Sequence, residues 1–432
     1  MPGVEPKIMN QDEWNIDVAD RLHRLPPYLF GQINKLKHEK RVAGVDIIDL
    51  GMGNPMDGAP EVVVDKLCEA ARDPRNHRYS ASAGVLNLRR DLAKLYERIY
   101  DVQLDPETEV IATIGSKEGF SHLCLAMLGP GDTAVVGDPY FPIHVYSVAI
   151  AGANVIKVDA GCDEAFLQRV QHVVENIYPK PKVLILNYPH NPTAMTVDDV
   201  SFFDKVVDLA KREGIYVIHD FAYWRTCFDD YKAPSFMQAK GAKDVGVEFV
   251  TFSKPYNMAG FRIGFCVGNK EIIRALAKIK GYYDYGIFQP IQIASILAMR
   301  EGEQAIADQN DIYQARRDIL VDGLRKLGWE LDSPRGSMFL WAKVPEKHLQ
   351  GQNTLEFALR LMEEAEVVVS PGLGFGENGE KHVRVALVEN EQRIKQALRQ
   401  MDRALNKGIK MPSAQKTPEL ADEGKLADDV LM

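Results

Sequence analysis

The sequence predicts an α/β protein: a mostly parallel central sheet flanked by helices, with a smaller α+β domain beside it. Two observations carry this. Between residues 132 and 268 short apolar, β-rich runs alternate with helical patterns, and such alternation requires crossover connections between parallel strands covered on both faces. Beyond residue 300 the pattern changes to one long helix followed by strands and helices in mixed order. The composition agrees: 46% of the 432 residues are hydrophobic and 26% are charged, as in globular chains. At roughly 150 residues per domain, this length predicts two or three domains.

Taken in order, helices are expected over 59–71, 85–100 and 117–128, the last stopped by Gly129, Pro130 and Gly131. Strands are expected at 133–136, 155–158, 183–187, 216–220, 247–252 and 263–267. Residues 164–177 form a helix pattern because Phe166, Leu167, Val170, Val173, Val174 and Ile177 share one face, and 198–213 is another. The C-terminal part predicts a helix over 306–327, strands at 338–344, 367–370 and 383–387, and helices over 354–366 and 391–405. The expected division is 1–58 as an N-terminal arm with part of the small domain, 59–300 as the large domain, 301–406 as the small C-terminal domain and 407–432 as a loosely held tail.

Lys plus Arg number 52 against 61 Asp plus Glu, a formal charge of −9, which argues against a dedicated nucleic-acid binder. Five scattered cysteines with no CxxC pair fit a reducing compartment. Glu5, Asp12, Glu13 and Asp17 leave no apolar core for a signal peptide. The most apolar stretch, 145–156, is interrupted by Ser147, Gly152 and Asn154, short of the ~18 residues a membrane span needs. A soluble cytoplasmic protein is expected, with neither membrane nor nucleic acid as partner.

Gly374, Gly376 and Gly379 spell GxGxxG, but a strand pattern follows instead of a helix, so no helix N-terminus is there for a pyrophosphate and a turn is expected. No metal-ligand motif such as HExxH or an EF-hand is present. Four other segments converge. Asp220 and Tyr223 stand where the apolar run 217–219 ends, although a helix cap would also place an aspartate there. Asn191 lies in a loop stiffened by Pro189 and Pro192, which is also a turn signal. Gly115, Ser116, Lys117 and Gly119 open a helix, where free N–H groups can cradle a phosphate or simply be capped. Lys254 follows Ser253 at the end of a very apolar strand, with Arg262 eight residues on. A lysine in a dry site among cations loses pKa and becomes an amine nucleophile toward a carbonyl, and arginine suits a phosphate. Amine, phosphate donors and a carboxylate for a pyridinium nitrogen are what pyridoxal phosphate requires of its protein.

These residues resemble the class I/II aminotransferases, the aspartate-aminotransferase-like group of fold-type I pyridoxal-phosphate enzymes, over roughly residues 25–406. The runs 25–30, 51–55 and 253–260 look most like the bacterial glutamate–pyruvate (alanine) aminotransferases, with LL-diaminopimelate aminotransferases as near neighbours. The resemblance implies that Lys254 bonds the cofactor as a Schiff base and then shuttles a proton, that Asp220 pairs with the ring nitrogen, and that Tyr223 and Asn191 bond the phenolic oxygen. It implies Tyr140 stacked on the ring and Ser116, Lys117, Ser253 and Arg262 on the phosphate. Tyr79 would reach the phosphate of a neighbouring subunit, which implies a homodimer. Arg384 would grip the substrate α-carboxylate, with Tyr28, Gly53 and Asn191 close to the substrate. Thr251 departs from the Ser or Gly of many relatives, which leaves its phosphate role open. Tyr283 and Tyr285 are candidates for the side-chain pocket, or for exposed or interface positions.

The function implied is transfer of an amino group between an L-amino acid and a 2-oxo acid by ping-pong chemistry, with alanine, glutamate, pyruvate and 2-oxoglutarate as substrates. LL-diaminopimelate or aspartate transamination, or β-elimination on the same cofactor, are the alternatives. A non-enzymatic module of the kind fused to a DNA-binding headpiece is disfavoured by the short N-terminal segment and the negative charge.

Overall fold

The computed structural model describes residues 18–26 and 29–406. Its centre is a seven-stranded sheet in the spatial order Val110–Thr113, Gly264–Gly268, Gly246–Thr251, Tyr216–Asp220, Val183–Leu186, Thr133–Asp138, Asn154–Asp159. The pairings are parallel except for those of Gly264–Gly268, which is antiparallel to both neighbours. Burial explains why the central runs are mostly apolar, the fully buried His219 and Glu248 being partnered with each other at 2.8 Å. Val183 and Ile185 pack into the core layer on one face of this sheet while Leu184 and Leu186 pack into the layer on the opposite face, since successive side chains of a strand point to opposite sides.

A second core gathers around an antiparallel sheet ordered Ser370–Pro371, His382–Ala386, Phe339–Lys343. Helices Glu303–Lys326, Thr354–Ala365 and Glu391–Asn406 supply Leu320, Phe357 and Ile394 to it, and Ile48 and Leu50 join it from far earlier in the chain. The strand expected at 367–370 is divided. Val367–Val368 pairs in parallel with Ile48–Asp49, whereas Ser370–Pro371 pairs with His382–Ala386. Two different partners claim it, which periodicity cannot register.

Several element ends shift for local reasons. The helix expected from residue 198 begins at Ser201, where the Asp199 carboxylate accepts from the Ser201 N–H. Helices Pro142–Ile150, Lys270–Tyr283 and Gln289–Glu301 were not anticipated. The first and third carry proline in their first turn, and the second is capped by Asn269, which accepts from the N–H groups of Glu271 and Ile272. The GxGxxG run forms two 3-10 turns. Gly376 lies at φ +120°, where a Cβ would come within 2.2 Å of Asp138 Oδ1, and Asn378 donates to Asp138 and Asp159 at the large sheet's strand ends. Among the described residues no helix is long and apolar enough to cross a membrane. The expected tail at 407–432 and the first seventeen residues of the expected arm lie outside the described residues.

Candidate active site

The carboxyl ends of the parallel strands open into a cleft of about 810 Å³ between the two cores. Open α/β sheets bind ligands in this place. From the large sheet the cleft collects Ser116, Lys117, Asn191, Asp220 and Tyr223, together with Ser253, Lys254 and Arg262. Arg384 of the small sheet and Gly53 of the N-terminal segment close the other side.

Lys254 leaves the end of strand Gly246–Thr251, and its Nζ donates to the Gly53 carbonyl at 2.5 Å. Burial and the like charges of Arg384 and Arg262 bring the amine down to about 7, so near neutral pH much of it is unprotonated and nucleophilic. Asp220 ends strand Tyr216–Asp220. Its Oδ2 lies 2.9 Å from His144 Nε2, while its buried Oδ1 has no hydrogen-bond partner among the described residues. A buried carboxylate oxygen left in this way is costly unless a ligand meets it.

Asn187 donates to the Asp220 carbonyl at 2.6 Å and accepts from the Asn191 N–H at 2.8 Å, fixing the loop that carries Asn191. Asn191 Oδ1 in turn accepts from Arg384 Nη1 at 2.8 Å. The Arg384 guanidinium lies between the rings of Phe339 and Phe375, 3.9 and 4.5 Å from their centroids. Burial pushes the Tyr223 phenol up, with Arg384 opposing the rise, so it is a hydrogen-bond donor at ordinary pH.

Helix Ser116–Met127 begins in the cleft, after strand Val110–Thr113. Its first-turn N–H groups have no intrahelical acceptor. Gly115, at φ +76°, lets Arg262 approach so closely that a Cβ would come within 2.4 Å of Nη2. Glu118 holds this turn by accepting from the Ile114 N–H at 2.8 Å and from Lys280 at 3.2 Å. Thr251 Oγ1 donates to the Ile263 carbonyl and accepts from the Ser253 N–H, so its hydroxyl orients the serine.

These groups suit pyridoxal phosphate. The cleft offers an amine for the aldehyde, a partnerless carboxylate oxygen for a protonated ring nitrogen, and N–H and guanidinium donors for a phosphate.

Four expected residues stand elsewhere. Tyr140 packs into the core beneath the sheet, 8% exposed, with its ring 5.9 Å from Lys157 Nζ; Phe141, the N-cap of helix Pro142–Ile150, lines the cleft. The strand-to-helix turn directs the second aromatic of the pair, and not Tyr140, into the cleft. Tyr79 is 84% exposed and outside the cleft, its ring 4.6 Å from that of Tyr285. Tyr283 and Tyr285 are likewise exposed and do not line the cleft. Tyr28 lies outside the described residues. Sequence reasoning also missed His144, Phe339 and Phe375. Of these only His144 carried a usable signal, a histidine four residues after Tyr140 in a run opening with Pro142.

The family model for "Aminotransferase class I and II" matches residues 45–401. The glutamate-pyruvate aminotransferase AlaC of Escherichia coli is 50% identical over 379 residues, 88% of this chain and 92% of that protein. An LL-diaminopimelate aminotransferase of Moorella thermoacetica is 41% identical, over 90% of this chain and 98% of the relative. Among solved structures, the aspartate aminotransferase of Thermus thermophilus with maleate superposes at a TM-score of 0.82 and 28% identity, covering 90% of this chain and 100% of that one. With this cleft and these matches, the chain belongs to the class I and II aminotransferases, pyridoxal-phosphate enzymes that move an amino group between an amino acid and a 2-oxo acid.

Proposed function

We propose that the chain interconverts alanine and 2-oxoglutarate with pyruvate and glutamate. One observation carries the catalytic reading: a lysine amine titrating near 7 and an arginine fork meet in one cleft. Bound pyridoxal phosphate supplies a ring that takes up the electron pair when an amino acid's Cα–H bond breaks. Lys254 would hold the cofactor until a substrate amine takes its place, and its freed Nζ would then move a proton between the substrate Cα and the cofactor's aldehyde-derived carbon. Asp220, held by His144, keeps a proton on the ring nitrogen. Tyr223 and Asn191 would hold the cofactor's phenolic oxygen, and Phe141 would pack against its ring. Ser116, Lys117, Ser253 and Arg262 would hold the phosphate, and the Arg384 guanidinium would grip the α-carboxylate. Gly53 lets the Phe339 ring approach this segment closely at the edge of the cleft.

The choice of alanine and glutamate rests on the 50% identity to the Escherichia coli enzyme. The second reading, LL-diaminopimelate, rests on the 41% relative. A panel of amino donors against pyruvate and 2-oxoglutarate, compared by kcat/KM, separates them. Faster transfer from LL-diaminopimelate than from alanine would replace the first reading. Release of pyruvate and ammonia from one amino acid without an acceptor would show β-elimination instead. Loss of both turnover and visible cofactor absorbance in Lys254→Ala tests the catalytic assignment.

The exposed aromatics Tyr79, Tyr282, Tyr285 and Phe288, 84, 90, 66 and 47% exposed, support a homodimer in which Tyr79 reaches the partner's phosphate site. Mixed Tyr79→Ala and Lys254→Ala subunits are then more active than either parent alone. Five free cysteines support a reducing, cytoplasmic setting.

A further inference from the structure

One short segment supplies carbonyl acceptors to two cations, Lys254 and Arg384, that face the cleft from opposite sides. The Gly51 carbonyl accepts from Arg384 Nη2 at 3.0 Å and from Ser370 Oγ at 2.8 Å. Two residues on, the Gly53 carbonyl accepts from Lys254 Nζ at 2.5 Å. The segment contains little regular structure after Ile48–Asp49, so something else must hold its carbonyls in register.

Each end of it is an aspartate pinned to a helix. Asp49 accepts from Lys37 at 2.7 Å and from the N–H groups of Gly51 and Met52. Asp57 receives both arms of Arg316, at 2.7 and 2.9 Å. Arg316 lies on the long helix Glu303–Lys326 and is only 5% exposed. Its Nη1 also donates to the carbonyls of Leu387 and Val388 at 3.3 Å, immediately beyond the strand that carries Arg384. About two turns earlier on the same helix, Gln309 donates to Asp57 at 3.3 Å and accepts from Asn257 at 2.6 Å. Asn257 stands three residues after Lys254, at φ +52°.

The three segments that bring Gly53, Lys254 and Arg384 to the cleft therefore meet a single helix through Arg316 and Gln309. We propose that Asp57 and Arg316 are positioning residues: their bidentate pair, extended by Gln309 to Asn257, holds the 49–57 segment so that its carbonyls set the Lys254 amine and the Arg384 guanidinium in working register. Neither residue lines the cleft. Burial of Asp57 opposes its ionisation, but the hydrogen bonds and charge of Arg316 outweigh this and keep its carboxyl below the usual range, so the clamp is charged at neutral pH.

The proposal rests on the assignment of Lys254 and Arg384 to the reaction, and its test can fail separately from that assignment. The same helix holds a matched control: Arg317 pairs with Asp229, Nη2 to Oδ1 at 2.9 Å, without touching the 49–57 segment. Asp57→Asn and Asp229→Asn are compared with wild type in two ways. In apoprotein, the pH dependence of Lys254 modification by trinitrobenzenesulfonate is isolated by subtracting the Lys254→Ala signal. When the Gly53 carbonyl moves off the amine, the ammonium form loses an acceptor, so Asp57→Asn lowers the midpoint while Asp229→Asn keeps it. In the holoenzyme Asp57→Asn lowers kcat/KM by about tenfold or more, as expected for a misplacement of the order of 1 Å, and Asp57→Glu recovers part of the loss. Should Asp57→Asn fail to fold, Gln309→Leu breaks the branch to Asn257 and is read in the same way. A midpoint and kcat/KM in Asp57→Asn equal to those of Asp229→Asn overturn the proposal. Full turnover in Lys254→Ala would instead overturn the catalytic assignment, whatever the midpoint does.

Discussion

Arg384 donates to Asn191 at 2.8 Å although 193 residues separate them. Arg384 belongs to the small antiparallel sheet and Asn191 to the loop after a central strand of the large one. Their bond spans the cleft and joins the group assigned to the substrate carboxylate to one assigned to the cofactor. The guanidinium is thereby oriented before a substrate arrives, its plane held between Phe339 and Phe375.

Arg384→Lys keeps the charge but loses the planar fork and its fit between two rings. A charge-assisted hydrogen bond is worth about 1.5–3 kcal/mol, so KM for both amino and 2-oxo acids should rise roughly 10- to 100-fold. Steady-state kinetics with each substrate checks this. An unchanged KM would remove Arg384 from carboxylate binding.

The Lys254 amine should titrate near pH 7 in apoprotein, because burial and then Arg384 and Arg262 disfavour its charged form. Below that pH it is mostly ammonium and poorly nucleophilic; above it the free amine dominates. Arg384→Gln removes one of the repelling charges, so the midpoint rises toward the ordinary lysine value. A fall would contradict the sign of that interaction.

Phe141→Ala should weaken cofactor binding, whereas Tyr140→Phe should leave it near wild type. Aromatic stacking contributes about 0.5–1.5 kcal/mol beyond area burial, so Phe141→Ala raises the cofactor Kd by up to about tenfold. Equilibrium titration of apoprotein decides, and the reverse ranking would restore Tyr140 as the stacking residue.

Gly53→Ala tests the close approach of Phe339, since a Cβ would lie 2.4 Å from the Cζ of that ring. Crowding of a packed interior costs about 1–3 kcal/mol, measurable by urea unfolding. Because the clash displaces the carbonyl that holds Lys254, kcat should fall as well. Loss of stability with full kcat would separate the two effects.

The most legible parts of the site were those written locally. Lys254, Asp220 and Ser116 each stand at or just beyond the end of an apolar run, and a strand followed by a turn exposes that position whatever lies across from it. The apolar runs themselves were legible because a sheet buried on both faces favours apolar residues on both and admits polar ones such as His219 and Glu248 only as hydrogen-bonded partners. Tyr140 and Phe141 were not distinguishable in this way. Adjacent residues point in different directions, and the geometry of the turn into helix Pro142–Ile150 decided which one entered the cleft.

By itself the sequence determined the alternation of strands and helices, the chemistry available at the strand ends and the family resemblance, because all of these are encoded in spacings of a few residues. Only the tertiary structure decided which distant groups meet: Arg384 with Asn191, Gly53 with Lys254, and Asp57 with Arg316 across 259 residues. The physical reason is that a hydrogen bond depends on separation in space, and packing of the two cores brings together segments whose distance along the chain carries no trace of the contact.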